Sequence, residues 1–214
     1  MKRIGWLFLV ALFSVALSTP AGAQSSDGWI TLFDGKSLNG WKSSTDSPET
    51  FSVQDGMIVV AGERAHLYYV GPDGNASFKN FELKLDAMTT PGSNSGIYFH
   101  TTYQADGWPS KGYEVQVNNS HTDWRRTGGL YAISDVREAP AKDGEWMTYH
   151  IIVNGKNIKI SVNGKQLVDY TEPDNVERPD GMKERVLSSG TIALQGHDPQ
   201  SKVYYKNIMI RPLP

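Results

Sequence analysis

The tetrapeptide VNGK occurs twice, at residues 153–156 and 162–165, and each copy sets Asn-Gly between runs rich in Val and Ile. Asn-Gly readily takes the two positive-φ positions of a tight hairpin turn, so the spacing predicts a three-stranded meander from about Thr148 to Tyr170. The same two-residue period recurs. FELKLDAM at 81–88 puts Phe81, Leu83, Leu85 and Ala87 on one face against Glu82, Lys84 and Asp86, and NIKISV turns Ile158, Ile160 and Val162 inward. Beyond the first two dozen residues no helical stripe lasts longer than two turns. STDSPET, GPDGNAS, TTPGSNS and EPDNVERPDG punctuate the chain with Gly, Pro, Asn, Asp and Ser. Many short strands separated by such turns predict an all-β fold, a two-sheet antiparallel sandwich or jelly roll.

The N-terminus has a different character. Lys2 and Arg3 precede a largely apolar run from Ile4 to Leu17, and AGA at 21–23 supplies the small residues of a cleavage site. Residues 1–23 therefore read as a signal peptide and 24–214 as a single domain, large enough for a real core. The apolar run falls short of the roughly 20 residues that span a bilayer, and no second run follows, so no membrane association is expected after cleavage. An exported domain with no cysteine must hold together by packing and backbone pairing, which suits a periplasmic or secreted protein and excludes a lipid-bearing cysteine. A formal charge of −2 argues against nucleic acid as a partner. A neutral small molecule is the expected partner, and 11% aromatic residues suit either a sheet-rich fold or a sugar-stacking surface.

An ordered set of segments carries a resemblance: WITLFDGKSLNGWK (29–42), GSNSGIYFH (92–100), YEVQVNNSHTD (113–123), TGGLY (127–131), the long run from Gly144 to Tyr170, SGTIALQGHD (189–198) and VYYKNIMIRPL (203–213). Together they resemble the 3-keto-disaccharide hydrolase domain family over nearly all of the chain after residue 23. The resemblance implies a concanavalin-like jelly roll and an exported bacterial enzyme, a hydrolase or lyase, acting on glycosides oxidised to a ketone at C3. The chain departs from the family's usual pattern twice: His100 ends a strand where arginine is common, and Asn118 stands where aspartate often follows the EVQV strand.

A C3 ketone acidifies the C2 hydrogen, so a base that removes it, with an acid for the leaving oxygen, splits the glycosidic bond by elimination. Ordinary glycosidases need two matched carboxylates instead, and no strand here has that spacing. Alternation puts Glu114, Gln116 and Asn118 on the polar side of KGYEVQVNN, with Tyr113, Val115 and Val117 opposite. Glu114 is the candidate base or metal ligand. The same parity places His100 beside Tyr98, making His100 a second candidate for proton transfer. Tyr98, Gln116 and Asn118 would cradle a sugar, joined by Gln195 and His197 from IALQGHD and by Trp124, Arg125 and Arg126 from the loop between the EVQV strand and TGGLY, with Trp108 in a similar loop. His66 and His150 receive no role. No metal motif is present, but His100, Glu114, His121 and His197 would form a divalent-ion site if the fold brought them together. The alternative is a non-catalytic carbohydrate-binding, lectin-like domain using the same face.

Overall fold

The computed structural model describes residue 25 and residues 27–214; the expected signal peptide lies outside the described residues. In chain order the strands are β1 (Ile30–Thr31), β2 (Trp41–Ser43), β3 (Phe51–Gln54), β4 (Met57–Ala61), β5 (Ala65–Tyr69), β6 (Phe81–Thr89), β7 (Ser95–Thr101) and β8 (Tyr113–Val117). They continue with β9 (Arg126–Leu130), β10 (Ser134–Val136), β11 (Met147–Asn154), β12 (Asn157–Val162), β13 (Lys165–Thr171), β14 (Thr191–Gly196) and β15 (Lys202–Pro212). Two sheets result, ordered β13-β12-β11-β6-β15-β4-β3, with β1 on β15, and β10-β9-β8-β7-β14-β5-β2. Their strand pairs are antiparallel, as the alternation predicts.

The inward residues of both sheets meet in one core. Leu83, Leu85, Tyr149, Ile151, Ile160 and Tyr205 from the first sheet pack on Leu67, Ile97, Phe99, Val115, Ile192 and Leu194 from the second. Burying an aliphatic or aromatic side chain of this kind stabilises by about 1.5–3 kcal/mol, and without disulfides this layer carries the fold. The acidic set of FELKLDAM faces away from it: Glu82 pairs with Arg211 and with His150 at 2.8 Å on the outer surface of the first sheet.

The predicted meander is present as β11, β12 and β13, but its turns differ. The second copy of VNGK turns at Asn163-Gly164, both with positive φ (51° and 76°), as a type I′ turn requires. In the first copy Asn154 pairs with Asn157, which moves the turn one residue on, to Gly155-Lys156. Along β15, Asn207 (φ 53°) inserts a bulge, so the inward residues run Val203 and Tyr205 and then resume at Ile208 and Ile210.

Candidate functional site

The outward face of the second sheet carries the polar residues of β5, β7, β8 and β14. Register aligns Tyr68, Ala193, Tyr98 and Glu114 in one row, and the neighbouring row pairs His66 with Gln195 and Gly96 with Gln116. This face is not a wet sheet surface: Glu114 is 5% exposed, and Gln116 and Gln195 are each 2% exposed. Loops cover it. One reaches from β7 to β8 and lays Trp108 against His66 (ring centroids 5.7 Å) and His197 (5.5 Å). Another, between β13 and β14, brings Met182 and Arg185 over the β8 side. Between them lies a cavity of about 350 Å³ lined by Tyr98, Glu114, Gln116, Gln195 and His197 among others, a size suited to a small ligand.

Glu114 lines this cavity and is buried. Burial raises its pKa above the ordinary 4.5, against the opposing influence of Arg185, hydrogen bonds from Tyr98 and Gln195, and His197. Gln195 Nε2 donates to Tyr98 Oη at 3.0 Å and to Glu114 Oε1 at 3.2 Å. Gln116 Nε2 donates to Asn94 Oδ1 at 2.6 Å. The amide oxygens of Gln116 and Gln195 have no partner among the described residues, so two buried acceptors stand ready for ligand hydroxyls. Gly96 creates the space for the carboxylate: a Cβ there would lie 2.6 Å from Glu114 Oε1. His66, which the sequence reading passed over, belongs to this face. Burial lowers its pKa to about 4, and neither ring nitrogen has a hydrogen-bond partner among the described residues.

Arg185 is held by a clip on the far side of β8. Tyr113, which points into the core next to Glu114, donates its hydroxyl to Glu172, and Arg178 Nη2 donates to the Tyr113 and Tyr170 hydroxyls at 2.9 and 3.0 Å. Glu172 also accepts the Leu187 N–H at 3.0 Å, while Arg178 Nε donates to the Arg185 carbonyl at 2.9 Å. The clip leaves the Arg185 guanidinium donating to the Tyr131 carbonyl at 3.0 Å, on the cavity wall.

Of the residues singled out in the sequence, Tyr98, Glu114, Gln116, Gln195, His197 and Trp108 line the cavity, and His100 does not. His100 has φ 56°, which breaks the alternation at the end of β7 and turns the ring between Phe81 and Phe99. There Nε2 donates to the Lys79 carbonyl at 2.8 Å and Nδ1 accepts the Ser188 N–H at 3.2 Å, so both nitrogens serve the backbone. Gly112 and Gly190 allow this: a Cβ on either would lie within 2.7 Å of the His100 carbonyl carbon.

Asn118 is likewise structural. Its Nδ2 donates to the Asp123 and Arg125 carbonyls, and its Oδ1 accepts from the His121 N–H and Arg126 Nη1, which organises the loop after β8. Arg126 closes the same loop through the His121 and Asp123 carbonyls. Arg125 is stacked between Trp124 (4.6 Å) and Tyr131 (4.5 Å) and paired with Asp135 at 3.1 Å, while exposed Trp124 lies outside the cavity lining.

The expected metal quartet separates in the fold. His121 and His197 approach each other with ring centroids 5.3 Å apart, and Asp198, which was not among the expected four, stands between them. Asn94, Tyr131, Met182 and Arg185 were missed because each lies in or beside a turn-rich segment with no periodicity to read.

A family model described as 3-keto-alpha-glucoside-1,2-lyase-like domain matches residues 28–211. A Bacteroides thetaiotaomicron protein named 3-keto-disaccharide hydrolase is 29% identical, and the match covers 68% of this chain and 59% of that protein's length. A Parabacteroides distasonis protein, described as a candidate glycosyl hydrolase, has a crystal structure that superposes with a TM-score of 0.75 at 23% identity, covering 91% of this chain and 100% of the other. A second structure from the same organism, described in the same way, gives a TM-score of 0.67 at 26% identity over 86% of this chain and 99% of the other.

Proposed function

Because the chain belongs to the 3-keto-alpha-glucoside-1,2-lyase-like domain family, we propose that it cleaves the glycosidic bond of 3-keto-glycosides or 3-keto-disaccharides by elimination, with Glu114 as the base. The observation that carries this reading is a buried carboxylate whose pKa burial raises, set in an amide-lined cavity with Tyr98 and Arg185 at hand. A raised pKa makes a carboxylate a stronger base for a carbon acid while leaving it able to ionise.

In the proposed step Glu114 takes the C2 proton, and the C2–H electron pair moves to give an enolate across C2 and C3. The enolate collapses to a C1–C2 double bond as the C1–O bond breaks, and the departing oxygen takes a proton, releasing the aglycone alcohol and an enone. Addition of water across that double bond gives the same net products as hydrolysis. Arg185 supplies positive charge on the cavity wall for the enolate oxygen, and the free Gln116 and Gln195 carbonyls orient sugar hydroxyls. Removal of residues 1–23 during export to the periplasm completes the proposal.

Purified protein incubated with a 3-keto-glucoside and followed by proton NMR tests it. Release of free aglycone is expected, while the parent glucoside remains intact. Tight binding without turnover would mean instead that the face is a lectin site.

A further inference from the structure

We propose that the site continues beneath Trp108 into a second compartment over Ala193, where His66 and Tyr68 bind the hydroxyls of a sugar leaving group once the Trp108 indole swings aside. The row that holds Glu114 and Tyr98 runs on across the sheet to Ala193 on β14 and Tyr68 on β5, and His66 stands beside it, opposite Gln195. Ala193 presents only a methyl between the two tyrosines, so the floor between them is low. With neighbouring strands about 4.8 Å apart, the row from Glu114 to Tyr68 spans roughly 14 Å, more than one pyranose ring covers.

Three polar atoms of this floor are idle while Trp108 lies over it. Both ring nitrogens of His66 and the Tyr68 hydroxyl are buried without a hydrogen-bond partner among the described residues. The Gln104 backbone N–H approaches the Tyr68 oxygen without aligning, and the phenolic proton has no acceptor. Both residues are 0% exposed, and an orphaned polar group costs its full desolvation. The imidazole meets the rings of Tyr98 and Trp108 edge to face, with centroids 5.4 and 5.7 Å away, and an N–H against a π face recovers only part of a normal hydrogen bond. Burial lowers the His66 pKa to about 4 and so keeps the ring neutral, with one donor and one acceptor, the pair that a sugar hydroxyl matches.

The cover is a side chain. Gln104 ties the backbone of the β7–β8 loop, its Nε2 donating to the Asp106 and Trp108 carbonyls at 2.5 and 2.9 Å and its Oε1 accepting the Ser110 N–H at 3.2 Å. The Trp108 indole, 46% exposed, rests through its ring on His66, His197 and the Arg64 guanidinium. Rotating it joins the compartment to the cavity it already lines. The identity of the occupant rests on the elimination proposed above: the group that leaves C1 extends along the row from Glu114, and a second sugar brings several hydroxyls to the idle atoms where an alkyl group brings none.

Calorimetry on Glu114→Gln protein, which lacks the proposed base, compares a 3-keto-disaccharide with methyl 3-keto-glucoside. The disaccharide should bind about tenfold or more tightly, and adding His66→Phe or Tyr68→Phe should bring the two affinities within about threefold of each other. In the native background the same two substitutions keep the rings and remove the orphaned atoms, so each thermal melt should be as high as the native one or higher. Equal affinities for the two ligands, a margin that survives both substitutions, or melts lowered by both would overturn the compartment. Binding of neither ligand would overturn the compartment and the sugar site together. Native protein that fails to release methanol from methyl 3-keto-glucoside, with the binding margin intact, would sink the elimination alone and leave the compartment as part of a lectin site.

Discussion

Glu114 is held at a cost to the fold, and that cost has a sign. Its folded-state pKa is raised above 4.5, so between 4.5 and the raised value the folded protein binds more protons than the unfolded chain. Stability contributed by the protonated form is present below 4.5 and is lost as pH rises through the raised pKa. Thermal melts in EDTA should therefore show Glu114→Gln gaining stability relative to the native protein as pH increases from 4.5 to 8, and equal melts at both ends would contradict the burial argument. Gly96→Ala should act on chemistry instead, since its methyl displaces the carboxylate; turnover is expected to fall about 100-fold, the effect of a misplaced reacting group. At this scale the sequence was legible where backbone was extended. Glu114, Gln116 and Tyr98 fell on the polar side as alternation requires, whereas His100 did not, because parity holds only while φ stays negative and His100 sits at 56°.

The strands were readable as elements because apolar residues recur every second position; the loops that make the site were not. The β7–β8 loop is placed by contacts some 60 residues distant in sequence: Thr45 N–H to the Ala105 carbonyl at 2.6 Å, and Gly107 N–H to Asp46 at 3.3 Å, with Asp46 paired to Arg64 at 3.6 Å. Nothing local in ADGWPSKG signals that Trp108 closes over His66 and His197. The segment from 172 to 187 is similar, reading as a polar loop yet anchored by Glu172, Tyr113 and Arg178. Arg178→Ala removes the donors that hold the Arg185 carbonyl and the Tyr113 and Tyr170 hydroxyls. Hydrogen exchange should rise selectively within 178–187, and kcat should fall without loss of the cooperative melt. The turns invite a separate test: Gly164→Ala must hold a left-handed conformation at φ 76° and should lower stability by about 1–2 kcal/mol in urea denaturation, with no change in turnover.

Taken whole, the molecule is a sandwich whose second sheet is buried on both faces along β5, β7, β8 and β14. Its inner face meets the core and its outer face meets loops, which is why β5, β7, β8 and β14 are buried along their full length. A sheet covered in this way converts a row of Glu, Gln and Tyr into a desolvated site, and the alternation of KGYEVQVNN alone shows the row without its cover. The two-sheet architecture was available from strand spacing and turn chemistry, while the cavity arises from tertiary contacts that no local pattern encodes. Removal of the C2 proton by Glu114 is the central claim, and turnover of a 3-keto-glucoside deuterated at C2 tests it most directly. The account predicts slower aglycone release from the deuterated substrate and none from Glu114→Gln. Equal rates for the two isotopologues, with activity surviving in Glu114→Gln, would contradict it.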